Sequence, residues 1–224
     1  MASKLAEKRR KDSFEFLNTL HWALFLEFNS KQNPQPVREI FEKTYRELQQ
    51  KCGTLIWQTV QESVRLREML QALSSSLRCD VEYRNRQVDE KKKLMREQIK
   101  SGKHKDLFSF EELPLPHQPE IKVTGLVPDE CTIFKSNTQP LKLVFNTSEG
   151  QQVPVIYKDG DDLRQDQLIV QMIKLIDSLL KRVNLDFEFT PYRVLAFSCD
   201  DGIMEFVPSM TIQEVNNVEE YLKT

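Results

Sequence analysis

A chain of 224 residues accommodates one large domain or two small units. With 39% hydrophobic and 29% charged residues, and no apolar run near the roughly 18 residues a spanning helix requires, the composition reads as globular and soluble and excludes a transmembrane protein. A net charge of −2 sets up no global field that would recruit nucleic acid or a membrane.

The first hundred or so residues carry helical periodicity. Phe14, Leu17, Leu20, Leu24 and Phe28 recur at three- and four-residue intervals and predict a helix from Asp12 to Phe28. Pro34 and Pro36 end that segment and start another, in which Val37, Phe41, Tyr45 and Leu48 share a face until Gly53, placed as a C-terminal cap. A third helix is predicted to about Arg78 on the stripe Leu55, Ile56, Val60, Val64, Leu66, Met69, Leu70, Leu73 and Leu77, with Trp57 in the same layer. Three such helices must cover one another or a neighbour.

Residues 84–105 are different material, with nine Lys or Arg against three acids and little apolar content beyond Val88, Leu94, Met95 and Ile99. The expectation is a solvated helix end running into a mobile loop that forms no core, with an anionic membrane or a partner as the other use of the charge. Prolines at 114, 116, 119 and 128 then favour extended backbone and mark a boundary.

Beyond it the period becomes that of strands: Glu120–Thr124, Leu141–Phe145 and Val153–Tyr157, the last two separated by a turn at Ser148-Glu149-Gly150. A long helix is predicted from near Asp161 to about Val183, heavily buried on the broad stripe of Leu168, Ile169, Met172, Ile173, Leu175, Ile176, Leu179 and Leu180, with Asp161 and Asp162 positioned to cap it. Tyr192–Ser198, a turn at Asp200-Asp201-Gly202, and Ile203–Val207 close a β-β-β-α-β-β unit.

Several chemistries are absent from the pattern. Cys52, Cys79, Cys131 and Cys199 are far apart with no CxxC spacing, against zinc and against a disulfide framework. No GxGxxG or Walker loop occurs, so phosphate binding would need other donors. His21 is expected to be packed or hydrogen-bonded in its helix, and His104 and His117 to lie in loops, without metal. The basic N-terminus (Lys4, Lys8, Arg9, Arg10, Lys11) leads into no apolar leader, so secretion is not expected.

The informative stretch is Lys158-Asp159-Gly160-Asp161-Asp162-Leu163-Arg164-Gln165-Asp166. A lysine at a strand end with an acid on the following helix is a pairing by which phosphotransferases present a cation to nucleotide phosphates, although a strand-end lysine alone is more commonly a solvated surface residue. The nonapeptide resembles the signature of the phosphatidylinositol 3-kinase family. Pro114-Leu115-Pro116, Phe134-Lys135-Ser136 ahead of Pro140, and Leu185 to Pro191-Tyr192 resemble its class III, vacuolar-sorting type. The likeness is close over residues 113–207 and looser over 12–78.

That resemblance implies an α+β chain: residues 1–105 as the C-terminal helices of a helical accessory domain with a basic linker, 106–128 as a proline-rich connection, 113–207 as an antiparallel-sheet kinase N-lobe with one long helix, and 208–224 as the hinge exit and start of a C-lobe. It implies ATP binding by Ser136 in a glycine-free phosphate-covering loop and by Lys158 on the α/β-phosphates. Asp166 would position that lysine, Tyr192 would line the inner pocket, and the hinge Met204-Glu205-Phe206-Val207 would offer backbone groups at Glu205 and Val207 to adenine. It further implies Mg²⁺ or Mn²⁺ held outside this stretch, phosphatidylinositol as substrate, and a cytoplasmic enzyme peripheral on endosomal and autophagic membranes. The expected partners are a protein-kinase-like scaffold subunit and a Beclin-type coiled-coil subunit. Nucleic acid is not among the expected partners.

Seventeen residues follow Val207, and the family's catalytic-loop Asp-Arg-His and its Asp-Phe-Gly metal motif are not among them. The chain is therefore expected to hold half a site and to be inactive alone. The alternative is a non-catalytic interaction module or a truncated competitor. A protein kinase is disfavoured, because the glycine-rich loop and strand-lysine motif of that family are missing.

Overall fold

The computed structural model describes residues 2–79 and 86–209. Helices α1 (Ala2–Asn29), α2 (Gln35–Lys51), α3 (Thr54–Cys79) and α4 (Val88–Lys100) precede an antiparallel sheet of β1 (Leu113–Leu115), β2 (Gln118–Leu126), β3 (Thr132–Ile133), β4 (Leu141–Thr147), β5 (Gln152–Asp159), β6 (Val194–Ala196) and β7 (Asp201–Glu205), with α5 (Arg164–Arg182) between β5 and β6. The class is α+β. Pro36 opens α2, where its missing N–H costs nothing, and Gly53, at φ +81°, ends the helix in the left-handed conformation that its position beyond Leu48 anticipated.

The sheet runs β1-β2-β4-β5-β7-β6, and β3 shares the β4 edge with β2. β2 pairs with the far half of β4 through Phe145 to Thr147, whereas β3 pairs with its near half through Leu141 and Lys142. Pro114, Pro116 and Pro119 lie within the first hairpin of this sheet, where extended backbone suits them, whereas Pro128 opens a 3-10 turn after β2; Leu113, Leu115, Val123 and Leu126 are buried. β1 and β3 are too short to be legible as periodicity.

One core joins helices and sheet. Trp22 of α1, Leu66, Leu70, Leu73 and Leu77 of α3, and Leu115, Leu143, Phe145, Val155, Tyr157 and Ile203 of the sheet belong to a single buried cluster. Along α1, Leu24 of the predicted stripe is buried together with Asn18, His21, Trp22 and Leu26, while Phe14, Leu17, Leu20 and Phe28 are half-buried.

Two expectations are corrected. Within the basic stretch 84–105, residues 88–100 form a helix, and Lys91, Met95 and Ile99 repeat every four residues to make a narrow buried stripe in that core. Much of its charge is spent internally: Lys100 Nζ meets Asp129 Oδ1 at 2.7 Å, and the Arg96 guanidinium donates to the Cys131 carbonyl. Conversely, the broad apolar stripe of α5 is not buried. Only Val170 is, and Leu168, Ile169, Met172, Leu175, Ile176 and Leu179 are 46–60% exposed, because no described element lies over that face.

α5 also starts later than predicted. Its first residue is Arg164, whose N–H donates to Asp162 Oδ1 at 3.1 Å, so Asp162 takes part in closing the helix start and Asp161 does not. The helix is pinned to the sheet by Gln167 Oε1, which accepts the β6 edge amide of Ala196 at 2.8 Å. Of the segment assigned to 208–224, residues 210–224 lie outside the described residues.

Candidate nucleotide site

β5 is central in the sheet, and its last residues carry the site. Side chains alternate along a strand, so Tyr157 and Asp159 face one side and Lys158 the other. The side of Tyr157 and Asp159 is covered by α3: Tyr157 is fully buried, and Asp159 Oδ2 accepts Ser74 Oγ–H at 2.7 Å. Lys158 is half-buried, and its Nζ is 3.1 Å from Asp161 Oδ2. Asp166, in the first turn of α5, makes no hydrogen bond or ion pair among the described residues.

Across the sheet, β7 runs antiparallel to β5 with Lys158 opposite Gly202 and Asp159 opposite Asp201. The Asp200 carbonyl accepts the amides of both Gly160 (2.6 Å) and Asp161 (3.1 Å), tying the turn after Lys158 to the hairpin. Asp201 is almost fully buried. Its carboxylate accepts both Arg67 Nε–H (3.1 Å, on Oδ2) and Arg67 Nη2–H (3.0 Å, on Oδ1), the Tyr157 hydroxyl at 3.1 Å, and the Ser198 hydroxyl. Burial and the Asp201 charge hold the Tyr157 phenol far above its ordinary pKa, so it stays a donor.

Ser136 is exposed in the 134–140 loop, which is closed by Phe134 N–H to the Pro140 carbonyl (3.0 Å) and folded internally by Gln139 N–H to the Ser136 carbonyl (3.2 Å). Tyr192 is half-buried in the irregular segment before β6. At the other end of β7, the Glu205 N–H is used by the Arg193 carbonyl (2.9 Å) and the Val207 carbonyl by Ser209 Oγ–H (3.2 Å). The Val207 N–H has no hydrogen bond among the described residues. Lys142 Nζ lies 4.1 Å from the centroid of Phe206, a cation–π contact fixing that side chain on β4.

Sequence reasoning missed Asp161 as the acid meeting Lys158, and missed Arg67, Ser74 and Arg78. The latter had a signal: spaced seven and four apart, they form a polar line beside the Leu66, Leu70, Leu73, Leu77 stripe on one helix face. Among the described residues no three His, Cys, Asp or Glu side chains are grouped to hold a metal ion. His104 accepts or donates a 2.6 Å hydrogen bond with Ser76 Oγ, whereas His21 and His117 are packed with both ring nitrogens unpartnered.

Comparison with known proteins adds to this geometry. The family model for phosphatidylinositol 3- and 4-kinases matches residues 152–221. The chain is 37% identical over 204 residues to phosphatidylinositol 3-kinase pik3 of Schizosaccharomyces pombe, covering 88% of this chain and 24% of that protein. It is 35% identical over 227 residues to phosphatidylinositol 3-kinase VPS34 of Arabidopsis thaliana (95% of this chain, 27% of that protein), and 43% identical over 161 residues to the root isoform of the Glycine max enzyme (71% and 19%). The chain thus spans about a quarter of the length of these curated relatives. With identity running through both helices and sheet, and a family match that opens on the strand bearing Lys158, the chain belongs to the phosphatidylinositol 3-kinase family of lipid kinases.

Proposed function

We propose that this chain forms the nucleotide-binding half of an enzyme that transfers the γ-phosphate of ATP to the 3-hydroxyl of phosphatidylinositol. The observation that carries the reading is Lys158: an ammonium at the end of a central strand, half-buried, and met among the described residues by the Asp161 carboxylate of the following turn. Phosphoryl transfer asks mainly for positioned charge, and a cation on a rigid strand supplies it. Asp161 Oδ2 would yield its place to phosphate oxygens, Ser136 and the 134–140 amides would lie against the outer phosphates, and the Val207 N–H would meet the adenine edge. Mg²⁺ or Mn²⁺ would supply further charge neutralisation from ligands outside this chain.

By the family likeness, the proposal extends to an enzyme peripheral on endosomal and autophagic membranes, in complex with a protein-kinase-like scaffold and a Beclin-type coiled-coil subunit. A second reading, a non-catalytic interaction module, is favoured by the exposed stripe of α5, an apolar face suited to a covering partner. Phosphatidylinositol phosphorylation with ATP and Mg²⁺ or Mn²⁺ tests both, run on these 224 residues and on the longest product of the gene. Activity confined to the longer product and abolished by Lys158→Met supports the kinase reading; turnover retained by Lys158→Met overturns the role of that lysine. No activity in either product favours the module.

A further inference from the structure

Two carboxylates stand directly opposite each other where β5 presents Lys158. Asp159 and Asp201 are cross-strand partners, and like charges in that arrangement push strands apart. Each is neutralised by one helix. Arg67 of α3 grips Asp201 with two hydrogen bonds, and two turns later Ser74 donates to Asp159 Oδ2. One turn further, Arg78 Nε lies 3.5 Å from Asp159 Oδ2, and its Nη2 donates to the Asp159 carbonyl. That same Nη2 donates to the Thr138 carbonyl at 3.0 Å, in the loop that carries Ser136. α4 adds a second hold on the loop, with Lys91 Nζ donating to Gln139 Oε1 at 3.1 Å.

We infer that α3 is a backing strut for phosphate contact: Arg67, Ser74 and Arg78 are positioning residues that hold the Lys158 strand end from behind the sheet, and Arg78 locks the 134–140 loop to it. The inference rests on the nucleotide reading of Lys158 and Ser136. Leu141, the residue after the loop, pairs with Tyr157 beside Lys158, and one guanidinium bridges the carbonyls of Asp159 and Thr138, so Arg78 ties the loop itself to the strand end that the β4–β5 ladder brings alongside it. Positioning matters at this scale because a 1 Å misplacement can cost roughly a hundredfold in rate. The strut touches no nucleotide, and its loss is read through Lys158 and the loop.

The test uses the full-length kinase containing this segment, with Arg78→Met, Arg67→Lys and Lys158→Met, reading kcat, KM for ATP, KM for phosphatidylinositol, and the thermal midpoint without nucleotide. Arg78 has a 42% exposed side chain, so Arg78→Met is compatible with folding even if Arg67→Lys is not. The expected result is a rise of about tenfold in KM for ATP with Arg78→Met, an unchanged KM for phosphatidylinositol, and partial restoration by Arg78→Lys, which keeps one donor. A purely structural role would move the thermal midpoint and the active fraction but leave KM for ATP in place, and that outcome overturns the inference. If Lys158→Met retains turnover, the nucleotide reading itself fails; if Lys158→Met is dead while Arg78→Met keeps its KM for ATP, only the strut fails.

Discussion

Arg67 and Asp201, 134 residues apart in the chain, form a two-pronged ion pair whose side chains are 12% and 2% exposed, beneath the strand that carries Lys158. Removing one partner of such a pair leaves a buried charge without compensation, at a cost of about 3–5 kcal/mol. Arg67→Ala should therefore destabilise the protein by about 3 kcal/mol, and Tyr157→Phe, which removes one donor to the same carboxylate, by about 1 kcal/mol. Denaturant unfolding of the two variants and of the double mutant is the check. A double mutant whose loss is the plain sum of the two would show that Arg67 and Tyr157 do not share Asp201.

Acid should unfold the protein through two histidines. Burial lowers the pKa of His21 to about 4, and burial together with the nearby Arg193 guanidinium lowers that of His117 to about 3. His21 sits in an aromatic cage of Trp22, Phe25, Tyr45 and Trp57. Both rings are neutral when folded and protonate near pH 6.5 when unfolded, so the unfolded state binds more protons between those values. Stability is then complete above about pH 6.5 and falls as the pH drops toward 3–4, by about 2 kcal/mol for each histidine at pH 5. Unfolding free energies at pH 7.5 and pH 5 check this, with His21→Phe expected to remove about half of the difference; a pH-independent stability over that range would contradict it.

The sequence made the helices legible because α1 to α3 repeat apolar residues over many turns, and it made β4 and β5 legible because Leu141–Phe145 and Val153–Tyr157 are rich in β-branched and aromatic residues. It failed where short elements lack a period: β1 and β3 span three and two residues. It failed for α4 because three well-spaced side chains, Lys91, Met95 and Ile99, suffice to dock a helix whose composition looks solvated. The stripe of α5 was read accurately as apolar, yet burial depends on a covering element that amphipathicity cannot supply. Around Lys158, which lies near the strand end the sequence assigned to it, Asp161 rather than Asp166 is the neighbouring acid because a tight turn brings i+3 within reach before the helix begins.

Gly160 adopts φ +75°, and a Cβ built there would stand 2.6 Å from Arg78 Nη1. Gly160→Ala therefore incurs left-handed strain of about 1–2 kcal/mol and displaces the guanidinium that bridges Asp159 and Thr138. On the proposed nucleotide reading, the expected outcome is a modest loss of stability accompanied by a rise in KM for ATP in the longest product of the gene. A double mutant Gly160→Ala/Arg78→Met should be little worse in KM than Arg78→Met alone, because both act on the same contact. Additive effects on KM would place the consequence of Gly160 elsewhere in the turn.

The α5 face gives a prediction of the opposite kind. Leu175 and Leu179 are 52% and 49% exposed on a helix whose inward anchors are Val170 and Gln167. Replacing both by Gln should leave the unfolding free energy of the 224-residue chain within about 0.5 kcal/mol per substitution, as expected for surface positions away from packing. The same change breaks a contiguous apolar patch, so light scattering or sedimentation of the purified chain should report less self-association. The relatives are roughly four times longer than this chain, and in a longer product of the gene a covering element would turn the same pair of substitutions into a loss of about 2 kcal/mol or more for each buried leucine. Equal and small effects in both proteins would show that the stripe stays uncovered.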